Sequence, residues 1–147
     1  MDLLEKIEEI DKNFYSRINT YIYIKNVGEK LEDISDKYRI IDFEKIAEDF
    51  FSKTNSSLTI FDTGNFFKYI QNLLKDEKKI VIIDNLEIIE NVLFNRDEQS
   101  LVRFFNSLAL QSYFSKTFFI ITDIKKLKIG KRLLESSFPN KNIIWGL

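Results

Sequence analysis

Four apolar residues followed by an acid, Ile80-Val81-Ile82-Ile83-Asp84, form the segment of this chain best suited to chemistry. A strand of that composition carries a carboxylate at its tip, where it can hold the Mg²⁺ of a bound nucleotide directly or through water. Hard cations prefer oxygen ligands, and phosphates alone leave Mg²⁺ under-coordinated. Asp84 is therefore the candidate metal ligand. The competing role is structural, because a strand-end acid also caps loops and helices. A second apolar run, Thr117-Phe118-Phe119-Ile120-Ile121, ends in Thr122-Asp123, a polar pair able to contact a terminal phosphate. Upstream, Ile24-Lys25-Asn26-Val27-Gly28-Glu29-Lys30-Leu31 lies where a phosphate-binding loop should begin. Lys25, Asn26, Gly28 and Lys30 are the candidate nucleotide contacts there.

That loop is eroded. A complete phosphate loop reads Gly, four residues, then Gly-Lys and Ser or Thr, so that backbone N–H groups wrap the phosphates. Here a single glycine remains, Glu29 separates it from Lys30, and Leu31 stands where a metal-binding hydroxyl belongs. A glutamate repels phosphate, and an apolar residue cannot ligate a metal. Lys25 and Lys30 retain the option of meeting an anion at a helix N-terminus, against the plainer reading of solvated lysines. Hydrolysis is further weakened. The acid that activates water in many ATPases directly follows the metal-side aspartate, and that position is Asn85. Glu87 is the candidate catalytic acid, with Glu90 behind it. Either serves only if the turn after the strand directs it inward, and the pattern expects both on a solvated surface.

Strands must hold these positions. Thr20-Tyr21-Ile22-Tyr23-Ile24, Tyr38-Arg39-Ile40-Ile41-Asp42, residues 79–84, residues 117–122 and Asn142-Ile143-Ile144-Trp145 are rich in β-branched and aromatic residues. The run up to Asp84 is apolar without alternation, as expected of a strand covered on both faces. Between the runs lie helical patterns: Phe43, Ile46, Ala47, Phe50 and Phe51 on one, and Phe66, Phe67, Ile70, Leu73 and Leu74 on the next. A longer helix is expected over 98–114, with Leu101, Phe104, Phe105, Leu108 and Ala109 inward, and a lysine-rich one over 127–136. Short helical and extended pieces are expected over 27–35 and 58–61. Leu3, Ile7, Ile10 and Phe14 mark an N-terminal amphipathic helix.

Strands alternating with helices predict one α/β domain over residues 1–147, with an N-terminal helix over 1–17 and a P-loop-like core over 18–147. The architecture expected is a three-layer sandwich, P-loop NTPase-like, around a mostly parallel sheet of about five strands. In such sheets ligands bind beyond the carboxyl ends of the strands. The residues after Ile24, Asp42, Ile83 and Ile121 should then form the site.

Composition removes several classes of chemistry. The chain has 147 residues and no cysteine or histidine, which excludes disulfides, thiolate sites and imidazole bases or ligands. A net charge of −1 lacks the basic excess of a non-specific nucleic-acid binder. Lys125, Lys126, Lys128, Lys131 and Arg132 do cluster, but charge runs are usually solvated faces. Charged residues interrupt every apolar stretch near the N-terminus, and no run approaches the roughly 20 residues that span a bilayer. The expectation is a cytoplasmic protein without membrane contact.

The order of elements is similar to that of ATPases of the AAA kind, in which a polar residue at the Thr122-Asp123 position senses the γ-phosphate. More specifically, length, element order and the stretch Ile82-Ile83-Asp84-Asn85-Leu86-Glu87-Ile88-Ile89 resemble BrxF, the small P-loop family of type 3 bacteriophage-exclusion (BREX) systems. The resemblance spans residues 20–122. It implies Asp84 as the metal-side acid, the segment after Ile24 as the phosphate-loop position, and a role as a subunit of a bacterial anti-phage defence complex. The candidate cofactor is ATP with Mg²⁺, and any activity would be Mg-dependent nucleotide hydrolysis.

Three readings follow. One is a degenerate P-loop-like subunit that binds protein partners, meets nucleic acid only indirectly and no longer turns over nucleotide. Another is a small ATP-binding protein or ATPase with an unorthodox loop. The third is an unrelated α/β interaction or regulatory adaptor. A receiver-like version of the third gathers acids at its first strand end, and Tyr23-Ile24-Lys25-Asn26 has none. Unpaired sheet edges leave homo-oligomers open.

Overall fold

A computed structural model describes residues 5, 7–9, 20–25, 38–54, 63–90, 98–110, 117–127, 130–137 and 142–146. Five strands form one sheet: β1 (Thr20–Ile24), β2 (Tyr38–Asp42), β3 (Ile80–Asp84), β4 (Thr117–Ile121) and β5 (Ile143–Trp145). Their order is β2-β3-β4-β1-β5, and every pairing is parallel. The helices described are α1 (Phe43–Thr54), α2 (Thr63–Leu74), α3 (Glu98–Ala109) and α4 (Gly130–Ser137). The chain is α/β, as the alternation of patterns predicts.

Handedness explains where the helices lie. The connections β2 to β3, β3 to β4 and β4 to β5 all step across the sheet in one direction. Right-handed crossovers then put α1 to α4 on one face. Phe43, Ile46 and Phe50 of α1, Phe66 and Ile70 of α2, Phe104 and Leu108 of α3 and Leu134 of α4 accordingly join Ile22, Ile24, Val81, Ile83, Phe119 and Ile121 in one core. The alternate strand residues, Tyr21, Tyr23, Ile82, Phe118 and Ile120, turn to the opposite face. There the register partners Tyr21 and Phe118 stack with ring centroids 4.9 Å apart. Ile7 is fully buried in the same cluster. Of the expected N-terminal helix, Glu5 and residues 7–9 are described, in helical conformation.

Burial follows position in the sheet. β1 and β4 are buried at all five residues, whereas the outer strand β2 buries Tyr38 and leaves Ile40 exposed. Phenylalanine supplies most of the helix-side volume. The Phe104 ring lies 5.4 Å from Phe67, 5.4 Å from Phe105 and 6.1 Å from Phe43, so one side chain of α3 ties α1 and α2 together.

Two boundaries differ from expectation. The helix expected over 98–114 is described to Ala109, where Leu110 donates its N–H to the Ser107 carbonyl in a turn. The helix expected from residue 127 begins at Gly130, because a 3-10 turn at Ile124–Lys126 comes first. The Asp123 carboxylate caps that turn. The elements expected over 27–35 and 58–61 lie outside the described residues. Among the described residues no helix is long and apolar enough to cross a membrane.

Truncating the hub should be costly. Phe104→Ala is expected to lose about 3–5 kcal/mol in urea denaturation. Leu110→Ala, at a side chain 75% exposed, should change stability by less than about 0.5 kcal/mol.

Candidate functional site

An all-parallel sheet gathers every strand's carboxyl end at one rim, and the candidate residues meet there. Asp42 and Asp84 are direct register partners. Ile24 pairs with Ile121, so Lys25 and Thr122 leave the sheet side by side. β4 separates β1 from β3, which puts the Lys25 and Asp84 exits two strand spacings apart, about 10 Å.

The turn after β3 decides what the rim looks like. Asn85 takes a left-handed conformation, φ 66°, which asparagine tolerates better than most residues. That bend sends the chain over β4 instead of onward, and the Leu86 N–H donates to the Ile120 carbonyl at 3.0 Å. Leu86 and Ile89 are buried as a result, and Glu87 and Glu90 are carried in with them, at 3% and 5% exposure. Both glutamates were expected on a solvated surface; the left-handed turn at Asn85 is the reason they are not.

Glu87 is held by two consecutive donors. The Thr122 N–H donates to its Oε1 at 3.2 Å and the Asp123 N–H to its Oε2 at 2.7 Å. Both oxygens of the candidate catalytic acid are thus engaged by backbone. Next to it, Oδ1 of Asp84 accepts from the Asn85 N–H at 2.8 Å and from the Thr122 hydroxyl. The Asn85 side chain donates to Asp42 at 3.1 Å, and the other Asp42 oxygen caps α1 by accepting from the Glu44 N–H at 2.9 Å. Asp123 accepts from the Lys125 N–H at 3.0 Å. The Lys25 N–H continues the ladder to the Ile121 carbonyl at 3.0 Å.

Asp84, Glu87, Thr122, Asp123 and Lys25 therefore share one rim, with Asp84, Glu87 and Thr122 joined by hydrogen bonds. Asn26, Gly28 and Lys30 lie outside the described residues, as does Lys128. Lys125, Lys126 and Arg132 are exposed. Sequence reasoning missed the Asn85–Asp42 bridge and the burial of Glu87. The available signal was the apolar company of Glu87, since Leu86, Ile88 and Ile89 leave this short segment little solvated face.

Among the described residues no group of three or more acids converges to hold a metal ion. A Mg²⁺ arriving on a nucleotide needs only one or two carboxylates, and Asp84, half-buried at the rim, is suited to be one of them. Among the described residues the acids do not fit a metal held by protein alone, and Asp84 would serve only a metal carried in by phosphates.

Burial pushes the Glu87 carboxyl above its ordinary value of 4.5, and the charge of Asp84 adds to the rise. The N–H groups of Glu87 itself, Asp123 and Thr122 oppose it without cancelling it. A raised folded value means that the folded protein binds this proton more tightly than the unfolded chain. Stability from this group is then fullest below pH 4.5 and declines as pH rises through the folded value. The stability of wild type relative to Glu87→Gln should fall over that window in urea denaturation at a series of pH values. A pH-independent difference would contradict the sign.

No protein-family model matches the chain, and no curated protein matches it in sequence. The rim itself is what a functional reading stands on.

Proposed function

We propose that this chain is a degenerate P-loop NTPase-like accessory subunit that binds protein partners within a bacterial anti-phage defence complex. The observation that carries the reading is the join at the rim, where the Thr122 hydroxyl donates to Asp84 and Lys25 leaves β1 beside Thr122. A nucleotide core needs its acid, its polar sensor and its phosphate loop on a single rim, with the sensor strand between the other two. The strand order β3-β4-β1 has that property.

The loop sequence argues against turnover. Lys25 through Leu31 lacks the second glycine and the metal-binding hydroxyl and adds Glu29, so phosphates would meet repulsion where they need backbone donors. What such a chain retains is a rigid scaffold. Its outer strands expose Ile40 and Trp145, at 45% and 41%, and exposed apolar residues on sheet edges suit contact with other proteins. The defence setting rests on the resemblance of the Ile82-to-Ile89 stretch to the BrxF family. Nucleic acid enters this reading through the partners, in keeping with the net charge of −1.

Two measurements separate the readings. In a thermal-shift assay, Mg²⁺ and ATP should leave Tm unchanged against a salt control of equal ionic strength. A rise of about 4 °C, the size expected at roughly ten times a dissociation constant, would favour the alternative of an ATP-binding module with an unorthodox loop. Affinity capture from the native host should recover a large ATPase, a methyltransferase or another component of a defence system. Recovery of an unrelated complex would contradict the proposal.

A further inference from the structure

We propose that the backbone N–H groups of Thr122 and Asp123 form an oxyanion site that the chain fills with its own carboxylate, Glu87. Consecutive N–H groups of a strand point to opposite sides. Where the chain leaves β4 they instead converge on one carboxylate, at 3.2 and 2.7 Å from its two oxygens. Convergent backbone donors of this kind make anion-binding concavities. This pair lies just past the carboxyl end of a central strand, where open α/β sheets take up ligands.

The acceptor comes from far along the chain, 35 and 36 residues before its donors. It is 3% exposed. Among the described residues no lysine or arginine forms an ion pair with Glu87. A buried carboxylate needs hydrogen bonds to replace its hydration, and the N–H pair supplies part of that compensation. The ligand class is a small carboxylate-sized oxyanion, and formate is the smallest probe of it. With Glu87 in place the site is closed to external anions, and this part of the rim stays ordered without a ligand. Two donors and one acceptor make the site, which is independent of partner binding.

Glu87→Ala removes the internal anion and leaves the donors. Thermal melts in sodium formate and in sodium chloride at matched ionic strength and neutral pH then read the site. The alanine variant should melt lower than wild type. Formate over chloride should raise its Tm by on the order of 4 °C at about ten times the formate dissociation constant, and the rise should saturate. Wild type and Glu87→Gln, which fills the space, should show no such gain. An alanine variant that folds in formate alone supports the site equally. Equal melting in the two salts, or an equal formate gain in wild type, overturns it. Should the alanine variant fold in neither salt, wild-type amide proton resonances decide. Those of Thr122 and Asp123 lie downfield and move together as Glu87 titrates if the site exists, and unshifted resonances overturn it.

Discussion

Backbone N–H groups left without ladder partners where strands end must find acceptors, and at this rim carboxylates supply them. Asp42 takes the N–H of Glu44, Asp84 that of Asn85, Asp123 that of Lys125, and Glu87 those of Thr122 and Asp123. Half-buried N–H groups such as those of Asn85, Thr122 and Asp123 rarely go unpaired. The acids that look available for chemistry are therefore also what shapes the turns.

This double use bears on function. A carboxylate has about four lone-pair sites, so Asp84 can accept two protein donors and still ligate a metal brought by phosphates. Glu87 is more constrained, because it is buried and each oxygen already meets a backbone donor. A rim arranged in this way is suited to permanence more than to cycling between protonation states. The proposed scaffold reading makes use of that permanence, alongside a loop after Ile24 that lacks the glycines needed to wrap a phosphate.

The layers and most helix faces were legible in the sequence because they depend on periodicity. Leu101, Phe104, Phe105, Leu108 and Ala109 recur on one helical face and are all buried, and the non-alternating run into Asp84 marks a strand covered on both sides. The approach of Asp84 to Thr122 was legible only in part. Both ends of apolar strands belong at one rim if the sheet is parallel, but which strands are neighbours depends on tertiary packing. The burial of Glu87 left only a weak trace, in its apolar neighbours Leu86, Ile88 and Ile89. Its burial follows from one left-handed residue, Asn85, and residue type alone does not reveal that conformation. The 3-10 turn after Asp123 escaped for a related reason, since a single side-chain cap starts it.

The join between the exits of β3 and β4 is the point on which the rim depends, and a double-mutant cycle tests it directly. Asp84→Ala, Thr122→Val and the double variant, compared by urea denaturation, isolate the energy shared by the two side chains. A coupling of about 0.5–3 kcal/mol is expected of residues in one hydrogen-bonded network. Effects that add to within about 0.3 kcal/mol would mean that Asp84 and Thr122 do not meet, and the rim described here would be wrong.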